Sequence, residues 1–218
     1  MKTKAFIVLA ALFVATTICA QETEKTLPAK NSATFDKGVV INGITWATRN
    51  VDAPGTFAET PESAGMFYQW NRKIGWSATE PMINSNGKTK WNSAIPKGSE
   101  WGKNNDPTPK GWRIPTEKER QSLFDTKQVS NEWTTQNGVT GRKFTDKSTG
   151  NSIFLPAAGY RLSGDGTLFS AGTYGGYWSS TAYGRAMDAA YYLLFTSRHT
   201  GSGGEYRGSG LSVRAVAE

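Results

Sequence analysis

The stretch Val39-Val40-Ile41-Asn42-Gly43-Ile44-Thr45-Trp46-Ala47 is the strongest local structural signal in this 218-residue chain. Its β-branched residues stand on both sides of Asn42-Gly43, a dipeptide that tolerates the positive φ values of a type I′ turn. The pattern predicts a β-hairpin. We place the start of the folded part of the chain just before it, at Gly38.

Downstream of the hairpin, short apolar stretches predict further strands, at residues 66–70, 142–145, 152–155, 176–179, 190–195 and 212–216. Residues 50–65 and 76–105 are rich in Gly, Pro, Asn and Ser and are predicted to be loops, while Gly164-Asp165-Gly166 marks a tight turn. Trp91 and Trp101 are expected to hold the second loop against the core.

One helix is indicated after Pro115. The Thr116 hydroxyl can cap the backbone N–H of Glu119, while the Glu119 carboxylate can reach back to the N–H of Thr116, which makes a capping box. The helix is expected to run to about Asp125 or Lys127. Many short strands with about one helix, and no alternating βαβ units, predict an α+β fold.

The first twenty residues have the composition of a secretory signal. Lys2 and Lys4 give a positive start, and the uncharged apolar run over residues 5–15 is too short to span a bilayer. A small residue, Ala20, stands at the cleavage site. We therefore expect an exported protein, secreted, periplasmic or on the outer surface, with a signal peptide over 1–20, a flexible linker over 21–37 and a single domain over 38–218.

Cys19 is the only cysteine in the sequence and leaves an alternative open, in which a lipid on Cys19 anchors the chain to a membrane. The bulky Ile18 ahead of it favours the free form over the lipoprotein. No membrane span is predicted after the signal. If Cys19 is removed with the signal, the mature chain has no thiol for a disulfide, a nucleophile or a metal site.

Five segments, taken together, resemble the Fibrobacter succinogenes major paralogous domain family. In chain order they are residues 44–51, 106–116, 155–161, 176–181 and 210–214. The resemblance covers the chain from about Gly38 to Glu218. It implies a C-type-lectin-like fold with short antiparallel strands, one or two helices and long ordered loops, as in the superfamily of the formylglycine-generating enzyme and the variable proteins of diversity-generating retroelements.

The sequence departs from this family at two positions. Relatives often have Cys where Thr108 and Ala215 stand in this chain, so the resemblance implies that a disulfide pair has been lost. Because formylglycine-generating chemistry uses cysteines, that activity is not expected of the mature chain.

The residue types needed for common catalytic and metal sites are scarce. His199, the only histidine, lies in a polar Gly-rich segment that we interpret as a surface loop, so neither a Ser-His-Asp triad nor a zinc site is predicted. Glu80-Pro81-Met82 and Trp91-Asn92-Ser93 match a calcium-binding lectin site only in part. No catalytic residue, metal or cofactor is predicted, although 18 acids leave a hydrolase with a carboxylate pair as the alternative.

Charge does not indicate a nucleic-acid partner. The formal net charge is +7, but the sequence has no run of five or more like charges. We assign Trp46, Trp112, Trp178 and Tyr160 to the core, and Arg113 and Arg214 to hydrogen bonds with loop carbonyls.

The C-terminal part of the domain, residues 174–207, combines many aromatic and arginine residues, as recognition surfaces do. The sequence therefore favours a non-catalytic binding or surface-architecture domain whose partner is a surface protein or glycan; it predicts no oligomeric state. The candidate ligand-binding residues are Tyr183, Arg185, Asp188, Arg198, His199, Tyr206 and Arg207, in loops that also hold Gly184, Met187 and Glu205.

Overall fold

The computed structural model describes residues 33–218. Among these residues, 38% lie in strands and 6% in helices, with four sheets and one α-helix. The α+β class predicted from the sequence is therefore wrong, and the chain has an all-β fold. The signal peptide predicted over residues 1–20 and most of the linker predicted over 21–37 lie outside the described residues.

The described chain contains fifteen strands and one α-helix. In chain order, the strands are β1 (Val39–Ile41), β2 (Ile44–Trp46), β3 (Phe67–Gln69), β4 (Gly75–Trp76), β5 (Trp112–Arg113), β6 (Val129–Gln136), β7 (Val139–Asp146), β8 (Ser152–Pro156), β9 (Tyr160–Arg161), β10 (Leu168–Phe169), β11 (Gly175–Ala182), β12 (Ala189–Phe195), β13 (Thr200–Tyr206), β14 (Gly210–Leu211) and β15 (Val216–Ala217). The helix α1 is Glu117–Gln121, and 3-10 turns occur at Lys103–Asn105 and Ser122–Phe124.

All pairings between these strands are antiparallel. The four sheets have the strand orders β1-β2-β15-β5, β10-β9-β14-β3-β4, β11-β12-β13 and β6-β7-β8. The first two sheets bring together strands from opposite ends of the domain. The other two are meanders of consecutive strands.

The hairpin prediction is confirmed. Ile41 pairs with Ile44, so the connection is the two-residue turn Asn42-Gly43. Both turn residues have positive φ, 48° at Asn42 and 76° at Gly43, as a type I′ turn requires.

The capping box is also confirmed, but the helix is shorter than predicted. Glu119 N–H donates to the Thr116 hydroxyl at 3.3 Å, and Thr116 N–H donates to the Glu119 carboxylate at 2.8 Å. The α-helix ends at Gln121 and continues only as the 3-10 turn to Phe124. Arg113, expected to bond loop carbonyls, instead donates to the Glu119 carboxylate at 2.8 Å.

Two long strands are not predicted by the sequence pattern. Most of β6 is polar, and exposed residues alternate there with buried or half-buried ones along most of the strand. β13 has the sequence Thr-Gly-Ser-Gly-Gly-Glu-Tyr, whose glycines are typical of a loop. The whole length of β13 pairs with β12. Pairing with a strongly apolar neighbour therefore overrides the low strand propensity of glycine.

The C-terminal segment joins the sheets. β14 pairs with β3 and β9, and β15 pairs with β2 and β5. Between them, the carbonyls of Val213 and Ala215 accept hydrogen bonds from the N–H groups of Val51 and Ala47, both at 2.9 Å. The strand predicted at 212–216 is thus wrong for most of its length, because only Val216 lies in a strand, β15, although the segment does pair with several others through its backbone.

The interior contains two apolar clusters. Trp70, Trp178 and Val213 belong to one, and Trp46 and Phe195 to the other. Of the four aromatic residues assigned to the core, Trp46 and Trp178 are fully buried, whereas Trp112 and Tyr160 are partly buried at the edge of the first cluster.

The N-terminal edge of the described chain packs against the domain. Asp36 is buried and accepts hydrogen bonds from the N–H groups of Gly38 and Thr48 at 2.9 and 3.0 Å, and Phe57 N–H donates to the Ala33 carbonyl. The packed region therefore begins a few residues before Gly38. No helix among residues 33–218 is long and apolar enough to cross a membrane.

Arg214 should be essential for stability. Its buried guanidinium donates to the Asn50 side chain at 2.9 Å and to the carbonyls of Ala47 and Phe154 at 3.2 and 3.0 Å. Arg214→Met leaves these acceptors without a partner, so we expect the free energy of unfolding to fall by about 3 kcal/mol. Urea unfolding measures the change. The exposed control Arg198→Met should change it by less than about 0.5 kcal/mol, and equal effects would contradict this role.

The Glu119 ion pair should contribute to acid sensitivity. Hydrogen bonding by Arg113 lowers the pKa of Glu119 from 4.5 to about 2. Since the folded-state pKa is the lower one, this stabilisation is present above pH 4.5 and is lost as the pH falls towards 2. Glu119→Gln keeps the cap but removes the pair, at a cost of about 1 kcal/mol at pH 7 because the pair is open to solvent.

Urea unfolding at pH 7 and pH 2.5 checks this expectation. The difference between the free energies of unfolding of the wild type and Glu119→Gln should be largest at pH 7 and much smaller at pH 2.5, close to the folded-state pKa of about 2. The control, Glu132→Gln, removes an exposed acid whose carboxylate lies 4.0 Å from Lys143. A difference for Glu119→Gln that is the same at both pH values would contradict the assignment.

Candidate functional site

The seven candidate residues lie at two ends of one sheet. The turn 183–188 connects β11 to β12 and lies beside the end of β13, whereas the turn 196–199 lies at the opposite end of the β12–β13 pair. β12 has seven residues, which separates the two turns by about 20 Å. The structure therefore brings together Tyr183, Arg185, Asp188, Tyr206 and Arg207, and places Arg198 and His199 elsewhere.

Two adjoining cavities open beside the turn 183–188. The larger one, which we call the apolar cavity, has a volume of about 540 Å³ and is lined by the loop 95–99 together with Ala182, Tyr183, Gly184, Met187, Asp188 and Arg207. The smaller one, the acidic cavity, measures about 280 Å³ and is lined by Tyr183, Asp188, Glu205, Tyr206, Gly204 and the alanines Ala186 and Ala189. Since Tyr183 and Asp188 line both, the two cavities adjoin, and we refer to them together as the cleft.

Tyr183 is held between the cavities by two contacts. Its ring meets the ring of Tyr191 edge to face, with the centroids 4.8 Å apart. It also lies against Gly204, where an added Cβ would come within 2.6 Å of the tyrosine ring. Glycine at this position of β13 therefore makes room for the ring that divides the cleft.

Arg207 forms the floor of the apolar cavity. It is buried, and it donates from Nε to the Ala189 carbonyl and from Nη1 to the Gly98 carbonyl, both at 2.9 Å. Its guanidinium lies 4.4 Å from the centre of the Trp70 ring. Burial lowers the pKa of Arg207, and the charge of Asp188 opposes this shift. Through these contacts, Arg207 holds the loop 95–99 against β12.

The loop 95–99 forms one wall of the apolar cavity, and it was not identified from the sequence as part of a site. Its neighbours attach it to β11, since Trp101 N–H donates to the Ser180 carbonyl at 2.9 Å and the Trp101 ring packs on Trp70 at 6.0 Å. The expectation that Trp101 holds the long loop is thus confirmed. Ile95 could have indicated this wall, because it is an isolated large apolar residue in a polar loop. In the structure it is 55% exposed.

The outer edge of the cleft carries exposed side chains. Met187 is 94% exposed and Tyr206 is 59% exposed, and Arg185 occupies an exposed turn position that contributes to neither lining. Large apolar side chains left open to water at a cavity are typical of interaction sites.

Two acids line the acidic cavity. Glu205 accepts hydrogen bonds from the Tyr206 N–H and the Ser209 hydroxyl, both at 3.0 Å, so one oxygen of its carboxylate is engaged within its own segment. Asp188 is half-exposed, and its backbone carbonyl accepts from Arg207 N–H at 2.8 Å. Within the described part of the chain, this cavity contains no lysine or arginine.

The other segments considered for chemistry have structural contacts. Glu80 accepts from the buried Arg161 at 3.0 Å, and the Trp91 indole donates to the Ser163 carbonyl at 3.0 Å. His199 is exposed, with its ring over Gly201. Within residues 33–218, no group of three or more His, Cys, Asp and Glu side chains is placed to hold a metal ion.

Comparison with known proteins gives one match. Residues 128–216 match a family model described as a domain of unknown function, DUF8237. The match begins one residue before β6, ends in β15 and includes the turn 183–188, but it excludes the loop 95–99. No curated protein and no solved structure matches the chain.

The packing of Tyr183 on Gly204 can be tested directly. Gly204→Ala places a methyl group where the ring lies, so the Tyr183 ring should move and lose its contact with Tyr191, at a cost of about 1 kcal/mol in the free energy of unfolding. The control is Gly203→Ala, where the nearest side-chain atom, in Tyr192, is 3.2 Å from the added Cβ. Nuclear Overhauser contacts between the Tyr183 and Tyr191 rings should disappear only in Gly204→Ala; their persistence would contradict the packing.

Proposed function

We propose that this protein is an exported, non-catalytic recognition domain that binds a surface protein or glycan in the cleft beside the turn 183–188. We also propose that the chain is exported through the signal predicted over residues 1–20. We further propose that it is related to the major paralogous domain family. The binding residues are Tyr183, Asp188, Met187, Tyr206 and the loop 95–99, on the floor made by Arg207.

One observation carries the proposal: the cleft combines a fixed floor with exposed apolar walls. Arg207 and Trp70 fix the floor by burial and hydrogen bonding, while Met187 and Ile95 remain open to water. A preformed cavity limits the conformational entropy lost on binding, and exposed apolar side chains supply area to bury.

The main alternative is a hydrolase, and one observation favours it: Asp188 and Glu205 line the same cavity. Glycoside hydrolysis uses two such carboxylates, one as an acid and the other as a base or nucleophile. Recognition is preferred because the cavity is open to solvent and Glu205 is engaged by Tyr206 and Ser209. Sugar release from aryl glycosides that stops in Asp188→Asn would establish the hydrolase instead.

Arrays of glycans and of cell-surface proteins, probed with the purified protein, test the proposal. We expect binding that a triple substitution in the cleft, Tyr183→Ala, Met187→Ala and Tyr206→Ala, weakens by about tenfold or more, since clustered aromatic and apolar contacts dominate most interfaces. A parallel array with EDTA tests any dependence on calcium.

The matched control for this experiment is Arg198→Ala with His199→Ala, at the opposite end of the same sheet. It should bind like the wild type, and circular dichroism should show both variants folded. Binding lost only in the control would move the site to the turn 196–199. Binding in neither wild type nor variants would contradict a recognition role.

A further inference from the structure

We propose that the ligand of the cleft is a polypeptide that places an apolar side chain in the apolar cavity and a lysine or arginine side chain in the acidic cavity. This inference rests on the proposed recognition function and names the chemistry of the partner.

The apolar cavity selects for an apolar group. Ile95, Pro96, Ala182 and Met187 contribute side chains that make no hydrogen bonds. The buried donor beneath them, Arg207, already bonds to two backbone carbonyls. A volume of about 540 Å³ is ample for a leucine, methionine or phenylalanine side chain. Met187 can adjust to different shapes because its side chain is unbranched and flexible.

The acidic cavity selects for a cation. Asp188 and Glu205 contribute two negative charges, and the remaining lining residues are alanine, glycine and tyrosine. Lys97 and Arg207 line the adjoining apolar cavity, so this excess of negative charge is confined to the acidic cavity, in a chain whose formal net charge is +7. At ordinary salt concentrations, charge–charge interactions act over about 10 Å or less. The two acids therefore favour a basic group that enters the cavity itself.

The two cavities adjoin, which limits the spacing of the two ligand groups. Tyr183 and Asp188 line both, so the apolar and basic groups must lie on either side of a single tyrosine ring. Alternate residues of an extended chain are about 7 Å apart. An apolar and a basic residue within three positions of each other in one polypeptide meet this condition.

A glycan fits the same walls less well. Sugars need many hydrogen-bonding partners and a free aromatic face, whereas the walls of the apolar cavity are largely hydrocarbon. The Tyr183 ring is engaged by Tyr191 and by the backbone of Gly204, so Tyr206 is the aromatic side chain of the cleft that remains open to solvent, and it lines the acidic cavity and not the apolar one. The geometry therefore favours a peptide.

A library of random dodecapeptides displayed on phage, selected on the purified protein, tests the inference. Enriched sequences should carry an apolar residue within three positions of Lys or Arg. Synthetic peptides of the enriched sequence, with the basic residue kept or replaced by Gln, are then measured by fluorescence anisotropy. The Gln peptide should bind about three- to tenfold more weakly, which is the effect of one partly exposed charge pair.

A thermodynamic cycle locates this effect in the acidic cavity. In Asp188→Asn, the affinity for the basic peptide should fall by a similar factor, and replacing the basic residue by Gln should then cost much less than in the wild type. The control Glu59→Gln removes an exposed acid that lines neither cavity, and it should leave the cycle unchanged.

The remaining outcomes separate the two proposals. Peptides that bind without a basic residue, or a charge effect that survives in Asp188→Asn, would overturn the inference and leave recognition in place. Binding of a glycan and of no peptide, with the glycan lost in the triple variant, would also overturn the inference and leave recognition in place. If neither peptides nor array ligands bind, both proposals fail.

Discussion

The fold depends on the buried guanidinium of Arg214. Its hydrogen bonds join the C-terminal segment to residues 60 to 167 positions earlier in the chain, at Phe154, Asn50 and Ala47. Burial lowers the pKa of Arg214 to about 10, so the side chain remains a cation at neutral pH and needs these acceptors. This one hydrogen-bond donor therefore ties the segment between β14 and β15 to the residues that follow β2 and to β8, which belong to different sheets.

The cleft follows from the same architecture. Its walls come from two segments far apart in sequence, the loop 95–99 and the turn 183–188, and each is attached to β11 or β12. A second buried arginine, Arg207, ties the loop to β12 and packs on Trp70. The site is thus preformed by contacts made beneath it, and the residues that face solvent do not have to maintain its shape.

The features of this fold that its sequence predicts are those decided by adjacent residues. The turn at Asn42-Gly43 and the cap at Thr116 and Glu119 depend on a few adjacent residues, so both were predictable. β13 was missed because its glycines become a strand only through pairing with β12, and the fold class was wrong because α1 is only five residues long. Half of the cleft was foreseen in Tyr183, Asp188 and Tyr206, but its contact with the loop 95–99 is formed across a long sequence separation.

The turn 183–188 also bears on how such a protein can diverge. Gly184, Arg185 and Met187 are exposed, while the strands that hold the turn, β11 and β12, are largely buried. Exposed turn residues tolerate substitution at little cost in stability, whereas the supporting strands do not. Under the proposed recognition function, substitutions at these tip residues would change which partner binds while the supporting Trp70 and Arg207 are retained, so that a new preference would not require loss of the folded state.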